Sequence, residues 1–462
     1  MTHHVILGAG PAGVIAAESI RKLAPLDAIT LIGDEPEPSY SRMAIPYLLM
    51  GNIIESGTYL RKTPSHFADL KIKVVQNRVQ SVQAATKTVV LKNGEMLHFD
   101  TLLVATGSHP VSPPIPGIKS AGVHTCWTLA DARAIMQLAK PGARVLQLGA
   151  GFIGCIIMEA LAARGVKLSV VEMGDRMVPR MMGPTAGGMI RDWVDAKGVQ
   201  VFTSTRVESI EPQAAPEPSL LEKIASTVGI GSGVGSSDAG EHHSPVLNVK
   251  LSNGTTVQAD LVISAAGVRP AIGYLENSGI TCLLGVLTDE HLQTNVPGVY
   301  AAGDCAEALD KVSGKMIVSA IQPNAAEQAR VAAANMVAYS KGQPPTTELK
   351  GVTQINVLDT LGLISSSFGD WQGVPGGAHV ELTDKAAGRH LSLQFKDDVL
   401  VGCNSVGWTE HVGVMRGLVE GQIKLGGWAD TLKQDPTLLM EAYLASAQGQ
   451  GHWSGAQDER RR

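Results

Sequence analysis

Aromatic side chains are scarce in this chain of 462 residues, where phenylalanine, tryptophan and tyrosine together make up 4%. An excess of either charge is lacking too, because 38 lysines and arginines face 43 acidic residues and the formal net charge is -5. That balance gives no reason to expect nucleic acid or an anionic membrane as the main partner. The sequence also lacks an apolar run near the ~20 residues that a membrane helix needs.

Cysteine is rare, and its pattern excludes several kinds of site. The five cysteines are Cys126, Cys155, Cys282, Cys305 and Cys403. They are odd in number, lie far apart and form no CxxC pair, which favours buried free thiols over disulfides or a metal site. We therefore expect a protein without a bound metal. The first residues lead straight into an apolar strand without the features of a signal peptide, so we also expect a cytoplasmic location.

Glycine, in contrast, is abundant at 51 residues, and the chain is long enough for several domains. Strand and helix patterns alternate in two places, which is typical of parallel sheets covered by helices. The two units are predicted at Val5–Leu7, Pro11–Leu23 and Ala28–Ile32, and at Arg144–Leu148, Phe152–Arg164 and Leu168–Glu172. The sequence therefore predicts an α/β fold with two Rossmann-like domains.

A glycine-rich turn joins the first predicted strand to the first helix, and it comprises Gly8, Ala9, Gly10, Pro11, Ala12 and Gly13. Gly8 permits a tight turn, Gly10 lets backbone N–H groups approach a pyrophosphate, and Gly13 allows close packing of helix on sheet. The helix N-terminus adds unpaired donors and the positive end of its dipole. Asp34 and Glu35 end the next strand about 20 residues downstream, where a carboxylate binds ribose hydroxyls, and we favour Glu35.

The second unit carries a turn of the same kind, formed by Gly149, Ala150, Gly151, Phe152, Ile153 and Gly154. Its second strand ends at Glu172, whose carboxylate would accept hydrogen bonds from ribose hydroxyls and repel a 2′-phosphate. This favours NADH over NADPH as the second nucleotide. Arg176 lies close downstream and could weaken that preference.

Further motifs complete a pattern along the chain. Asp304 follows the apolar strand of the segment Val299–Asp304, Thr106 and Gly107 follow Leu102–Ala105, and Gly267 lies in the segment Ala265–Pro270. In this order, and over about residues 1–335, the sequence resembles the large flavoprotein family of glutathione reductase. The resemblance implies that Asp304 holds the ribityl chain of FAD. It also implies that Thr106 and Gly107 mark the crossover into the NAD domain and that Gly267 marks the crossover back.

The segment Ser39–Leu48 resembles one branch of that family. This branch holds rubredoxin and ferredoxin reductases, NADH oxidases and the flavin part of NADH-dependent nitrite reductases. The resemblance implies that Arg42 lies by the flavin pyrophosphate, although pairing with a surface carboxylate would also explain it. It also implies that a helix beginning near Gln322 and Pro323 points at the flavin ring, where packing alone would explain Pro323.

Two departures from the family pattern carry chemical consequences. Relatives with a single redox cysteine place it in this region, where the nearest matching residue is Met43. A thioether forms neither a thiolate nor a sulfenic acid, which excludes disulfide and peroxide chemistry, and we expect Cys305 to be a packing residue. Relatives also carry an acidic residue near the nicotinamide where this chain has Ile156, so that only Glu159, one turn later, could compensate.

The predicted organisation has four parts. Residues 1–115 and 276–340 form the FAD-binding domain, residues 116–275 the NAD-binding domain with a flexible insertion at 213–245, and residues 346–450 a C-terminal α+β domain. We interpret the Gly/Ser run 229–237 and the pair His242 and His243 as a solvated loop. Trp371, Trp408 and Trp428 are either core of the C-terminal domain or part of an interface with a second copy or a partner.

These features predict an FAD-dependent NAD(P)H oxidoreductase. Hydride would pass between nicotinamide and flavin N5, and the electrons would pass to an external rubredoxin, ferredoxin or iron–sulfur subunit, because no internal dithiol is present. The alternatives are a flavin subunit of a multi-subunit dehydrogenase or a nitrite reductase-like complex, a free-standing NADH oxidase, and a flavin sensor without turnover.

Overall fold

The computed structural model describes residues 2–213, 246–352 and 355–449. Residues 214–245 of the predicted insertion, with its glycines and its two histidines, lie outside the described residues. No helix in the described ranges is long and apolar enough to cross a membrane.

A parallel sheet of five strands forms the first unit, in the order Val299–Ala301, Thr101–Val104, His3–Leu7, Ala28–Gly33 and Ile72–Gln76. The inner strands are short apolar runs that are mostly buried on both faces, as expected for a parallel sheet, whereas the edge strand Ile72–Gln76 is largely exposed. One face packs on the helices Pro11–Leu23 and Gln322–Ser340. The other face packs on a three-stranded antiparallel sheet of Val79–Gln83, Thr88–Leu91 and Met96–His98.

The second unit repeats this plan in the middle of the chain. Its parallel sheet has the order Gln200–Phe202, Lys167–Val171, Arg144–Leu148, Leu261–Ser264 and Val123–His124. One face is covered by the helices Leu129–Leu138, Phe152–Ala163 and Pro184–Ala196. The other face is covered by the antiparallel strands Val207–Pro212, Leu247–Leu251 and Thr256–Ala259.

A short antiparallel ribbon, Ser108–Pro110 with Val268–Pro270, carries the chain from the first unit into the second and back. Because the first sheet takes its edge strand Val299–Ala301 from beyond the ribbon, the second unit is inserted into the first. Three strands and two short helices complete this part, at Val286–Leu287, Ala306–Leu309, Met316–Val318, Ile45–Leu49 and His66–Asp69. The mixed α/β fold with parallel sheets confirms the predicted fold class.

The C-terminal part is an antiparallel sheet covered by helices. Its strand order is Ile355–Thr360, Leu363–Gly369, Val399–Val406, Arg389–Lys396 and Ala378–Asp384. The helices Val412–Gly421, Trp428–Gln434 and Leu439–Gly449 follow the sheet. Trp408 and Trp428 pack against the apolar core between the helices and the sheet, as in the core interpretation of these tryptophans.

Arginine side chains tie the two Rossmann units together. The guanidinium of Arg164, at the end of the helix Phe152–Ala163, donates hydrogen bonds to the carbonyls of Leu49, Met136 and Ala139 at 2.9 Å each. These carbonyls lie at helix C-termini, where a cation is favourable. The bond to Leu49 links the C-terminal end of the helix Phe152–Ala163 to the first unit, and the other two bonds hold it to the helix Leu129–Leu138 of its own unit.

Candidate cofactor and active site

A single cleft of about 550 Å³ runs from the first glycine turn to the helix Phe152–Ala163. It opens at the carboxyl ends of the parallel strands, where ligands bind in open α/β sheets. The residues predicted for FAD that line it are Gly8, Gly10, Pro11, Ala12, Asp34, Glu35, Arg42, Thr106, Gly107 and Asp304. The structure therefore brings the predicted FAD residues of four separate segments to one place.

The first glycine turn has the shape that a pyrophosphate requires. Gly8 has φ +110°, and a Cβ on it would lie 2.1 Å from the carbonyl oxygen of Ala105. A Cβ on Gly13 would lie 1.8 Å from the carbonyl oxygen of Gly8, so this glycine sits beneath the turn against the sheet. Above Gly10, by contrast, no atom of the described residues comes within 4 Å of a Cβ. The open side faces the cleft, and the residues present fit a dinucleotide.

The helix that follows leaves its N-terminal donors available. Gly10 is the N-cap of Pro11–Leu23, and within the described ranges no side chain caps this end. The first N–H groups of a helix need a partner, and an anion is well suited because the helix dipole is positive there. These donors supply the electrostatic part of the fit to a pyrophosphate.

Glu35 and Arg42 form an ion pair inside the cleft, with 2.6 Å between Oε1 and Nη2. Arg42 also donates to the carbonyl of Trp127 at 2.7 Å and lies 5.2 Å from the centre of its ring. Tyr40 donates to the other carboxylate oxygen of Glu35 at 2.5 Å. Arg42 thus pairs with a carboxylate, which was the alternative to a position by the flavin pyrophosphate. Its partner Glu35 is the residue that we favour as the ribose ligand, and both side chains line the cleft.

Asp34 differs from Glu35 in its surroundings. It is exposed, and its Oδ2 lies 3.4 Å from Nε of Arg78, which is exposed as well. An ion pair between two exposed side chains is screened by solvent and does little to fix the position of the carboxylate. The half-buried Glu35 therefore suits a ribose site better than Asp34 does, and both roles stay predictions.

Asp304 lies on the cleft wall beside the ribbon. Ser108 donates its hydroxyl to Oδ2 of Asp304 at 2.8 Å, and burial raises the pKa of this carboxyl. The backbone N–H of Gly303 donates to Oε1 of Gln328 at 2.7 Å, which fixes the turn that carries the aspartate. Ser108 and Gln328 were not predicted from the sequence. Ser108 directly follows Gly107, and only that adjacency could have indicated it.

The second glycine turn repeats the geometry of the first. Gly149 has φ +94°, and a Cβ on it would lie 2.4 Å from the carbonyl oxygen of Ala265. A Cβ on Gly154 would lie 2.5 Å from the carbonyl oxygen of Gly149, whereas no described atom comes within 4 Å above Gly151. Gly151 caps the helix Phe152–Ala163 without a side-chain partner in the described ranges. This turn therefore fits a second pyrophosphate.

The carboxylate of Glu172 lies beside the second turn and is bonded to its backbone. It accepts hydrogen bonds from the backbone N–H groups of Ala150 and Gly174, both at 2.7 Å. Arg176, by contrast, donates to the carbonyl of Met182 and pairs with Asp175 at 2.7 Å. A fixed negative charge thus stands at the turn, and the neighbouring cation is already paired.

Of the predicted NAD residues, only Phe152 and Ile153 also line the large cleft, and Ile156 lines it with them. Gly267 has φ +99° at the end of the ribbon, as a crossover turn requires. Glu159, the one residue that could compensate for Ile156, has a carboxylate that accepts the backbone N–H of Leu361 at 2.5 Å. The two residues of this contact lie 202 positions apart, so no local sequence pattern indicates it.

Thiol groups near the cleft are not activated. Met43 is 55% exposed and lines the cleft. Cys305 is buried, donates to the carbonyls of Val104 and Ala302, and has a pKa that burial raises to about 11. Cys126 also lines the cleft, which the sequence did not predict, and burial raises its pKa to about 12. A thiolate is the reactive form, so these thiols are poor nucleophiles.

A metal centre has no basis in the described part of the chain. No group of three or more histidine, cysteine, aspartate or glutamate residues there is arranged to hold a metal ion.

Comparison with known proteins finds relatives that are nicotinamide-dependent oxidoreductases. The family described as pyridine nucleotide-disulphide oxidoreductase matches residues 2–335. The epsilon subunit of NADH-dependent phenylglyoxylate dehydrogenase from Aromatoleum evansii is 29% identical, over 90% of this chain and 91% of the relative. Rubredoxin-NAD(+) reductase from Pseudomonas putida is 25% identical, over 76% of this chain and 84% of the relative.

Among solved structures, putidaredoxin reductase in its covalent complex with putidaredoxin has a TM-score of 0.79. The match covers 96% of this chain and 99% of that chain, at 22% identity. At this identity the similarity concerns the fold, and it includes the C-terminal part that lies beyond the family match.

Proposed function

Because the chain belongs to the pyridine nucleotide-disulphide oxidoreductase family, we propose that it exchanges electrons between a nicotinamide nucleotide and an iron–sulfur protein. The family and its named relatives make the chain an FAD-dependent NAD(P)H oxidoreductase that passes electrons to an acceptor. The proposal concerns the identity of the acceptor and the residues that serve each cofactor.

When bound, FAD supplies a ring that takes a hydride from a nicotinamide and releases electrons one or two at a time. The residues of this chain bind and orient the two nucleotides. We assign the FAD site to the turn Gly8–Gly13, to Glu35 and Arg42 with Asp34 at the rim, to Thr106 and Gly107, and to Asp304. We assign the NAD site to the turn Gly149–Gly154, to Glu172 and to Gly267. Domain boundaries follow the same division, at residues 1–115, 116–275, 276–340 and 346–450.

NADH is the proposed nucleotide, with NADPH the less favoured one. The carboxylate of Glu172 is held beside the second turn by Ala150 and Gly174. A 2′-phosphate would meet this negative charge, whereas ribose hydroxyls can donate to it. Arg176 is paired elsewhere and does not offset the repulsion.

The observation that carries the choice of acceptor is Met43 on the cleft wall. With a thioether there, and with the pKa of both Cys126 and Cys305 raised by burial, the cleft lacks a thiol relay to a disulfide or a peroxide. The electrons then leave the cofactor directly for an external redox partner. The near full-length match to a subunit of an NADH-dependent dehydrogenase supports a place in a multi-subunit complex, in either direction of transfer. The similarity to rubredoxin and ferredoxin reductases supports a free rubredoxin or ferredoxin as the partner.

Anaerobic titration of the flavin-loaded protein with NADH tests the first half of the proposal. We expect one equivalent of NADH to bleach the flavin absorbance. A rubredoxin, a ferredoxin and oxygen are then offered separately to the reduced protein. Faster reoxidation by an iron–sulfur protein supports the proposal, faster reoxidation by oxygen identifies an NADH oxidase instead, and failure to bleach identifies a sensor without turnover.

Isolation of the tagged protein from its native source tests the form of the partnership. Recovery with an iron–sulfur subunit in constant proportion indicates a complex, and recovery alone indicates a soluble carrier as the acceptor. The homodimer and the cytoplasmic location belong to this proposal, and light scattering together with cell fractionation tests them.

A further inference from the structure

The helix Phe152–Ala163 of the second Rossmann unit contacts the cleft on one face and the C-terminal domain on another. Phe152, Ile153 and Ile156 on one face line the large cleft, and the turn before the helix fits the pyrophosphate of the nicotinamide nucleotide. Glu159 points away from the cleft, toward the C-terminal domain. This helix therefore lies between the cleft and the C-terminal domain.

The tip of a C-terminal hairpin is fixed on the other face. Leu361 joins the strands Ile355–Thr360 and Leu363–Gly369 and has φ +52°. Its N–H donates to Oε2 of Glu159 at 2.5 Å, and its carbonyl accepts from Nε1 of Trp193 at 3.0 Å. Both polar groups of one backbone residue are thus taken by side chains of the NAD domain, and the bond to Glu159 is charge-assisted.

The same hairpin reaches the flavin domain at its other end. The strand Leu363–Gly369 spans roughly 23 Å at ~3.3 Å per residue. A Cβ on Gly369 would lie 3.3 Å from Cγ1 of Val312, and the nearby Gln422 donates to the carbonyl of Lys311 at 3.2 Å. Lys311 and Val312 follow the strand Ala306–Leu309, which begins two residues after Asp304. One strand therefore spans from the nicotinamide helix to the part of the flavin domain that carries Asp304.

A further bond supports this strand from its neighbour. Asn404, on the strand Val399–Val406, accepts from the N–H of Gly183 at 2.8 Å and donates to the carbonyl of Met181 at 2.9 Å. Gly183 is the N-cap of the helix Pro184–Ala196, which carries Trp193. The C-terminal part thus contacts both NAD-domain helices whose side chains bond to Leu361, namely Phe152–Ala163 and Pro184–Ala196.

From these contacts we infer that Glu159 and Trp193 are positioning residues whose clamp on Leu361 makes the C-terminal domain a brace between the two nucleotide sites. The inference rests on the proposed function, in which both nucleotides share the cleft. The clamp sets the position of the helix Phe152–Ala163 relative to the flavin, and small misplacements of reacting groups slow a reaction steeply. Binding of the adenosine half depends on the turn Gly149–Gly154 and on Glu172, whose carboxylate is held by the backbone N–H groups of Ala150 and Gly174 and not by the clamp on Leu361.

The test compares E159A and W193F with E159Q, which keeps an acceptor for the N–H of Leu361. D260N is the matched control, because it breaks the ion pair of Asp260 with Arg144 in the same domain, at the start of the strands Leu261–Ser264 and Arg144–Leu148. Hydrogen exchange of the flavin-loaded protein reports the clamp directly. We expect exchange of the Leu361 amide to rise at least tenfold in E159A and to stay near the wild-type rate in E159Q and D260N.

Two further readouts separate positioning from folding. In E159A and W193F, anaerobic bleaching of the flavin by saturating NADH should slow about fivefold or more, whereas flavin content and the Kd for ADP-ribose stay within twofold. Faster exchange with unchanged bleaching overturns the inference, and so does unchanged exchange. If NADH fails to bleach the wild-type flavin, the proposed function falls, and the exchange measurement then decides the clamp by itself.

Discussion

Glycines of two kinds occur in each nucleotide turn, and they differ in what a side chain would meet. Gly8 and Gly149 have positive φ and a carbonyl oxygen where a Cβ would stand, so the fold itself needs them. Gly10 and Gly151 have no described atom within 4 Å of that position, so only a ligand needs that space. The surroundings thus separate a folding requirement at Gly8 and Gly149 from a binding requirement at Gly10 and Gly151.

Gly151→Ala should therefore impair binding without affecting the fold. The change in unfolding free energy should stay within about 0.5 kcal/mol, while the Kd for ADP-ribose rises about tenfold because the methyl group occupies the approach of the pyrophosphate. Gly149→Ala should lower the stability by roughly 1–2 kcal/mol or more, since the alanine is held in left-handed backbone against a carbonyl. Calorimetry and thermal unfolding measure both effects, and equal stability losses would contradict this division.

Glu172→Gln should shift the nucleotide preference. Removing the charge takes away a repulsion on the order of 1.4 kcal/mol, so the ratio of kcat/KM for NADPH over NADH should rise about tenfold. Steady-state kinetics with both nucleotides measures it. Arg176→Gln is the matched control, because Arg176 is paired with Asp175 and should leave the ratio unchanged. If Arg176→Gln lowers kcat/KM for NADPH, Arg176 does weaken the preference for NADH, as its position in the sequence suggested.

At the scale of elements, the sequence predicted the strand–helix–strand units well because a strong local pattern marks each of them. The C-terminal domain was predicted less completely. The strands Leu363–Gly369 and Ala378–Asp384 and the helix Trp428–Gln434 were missed. The first strand contains three consecutive buried serines, which interrupt the apolar pattern from which strands are predicted. The second strand does alternate apolar and polar residues from Ala378 to Thr383, so a local signal for it was present in the sequence.

Buried polar groups in that sheet make its stability depend on pH. His390 on the strand Arg389–Lys396 is buried, contacts the hydroxyl of Thr383 at 2.9 Å, and has a pKa that burial lowers. A lowered histidine pKa in the folded state means that the unfolded chain binds the proton more tightly. Its contribution to stability is present above the unfolded pKa of about 6.5 and is lost as the pH falls below that value.

His390→Gln should therefore flatten the loss of stability on acidification. Thermal unfolding between pH 7.5 and pH 5.5 should show a smaller fall of Tm in the variant than in the wild type. His4 is also buried with a lowered pKa, so the difference between the two curves, rather than either curve, isolates His390. Parallel curves would show that His390 does not titrate on unfolding.

At the scale of the whole molecule, the cleft that we assign to FAD links distant parts of the chain and should stabilise them when filled. A ligand that binds only the folded state adds about 2.7 kcal/mol at a free concentration of 100 Kd. Removal of FAD should thus lower Tm, and added FAD should raise it with concentration. Arg42→Ala, which breaks the ion pair with Glu35, should weaken this rise, and an equal rise in variant and wild type would remove Arg42 from the site.

The sequence by itself determined the two nucleotide turns, the acidic residues that follow them and the missing redox thiol. These features are local, since a strand, a turn with positive φ and a helix N-terminus follow one another within about a dozen residues. Tertiary structure alone decided what lies across the cleft and behind it. The bonds of Ser108 to Asp304, of Arg42 to Trp127 and of Glu159 to Leu361 join residues 196, 85 and 202 positions apart. Their geometry depends on how whole sheets and domains pack, and no local pattern encodes such packing.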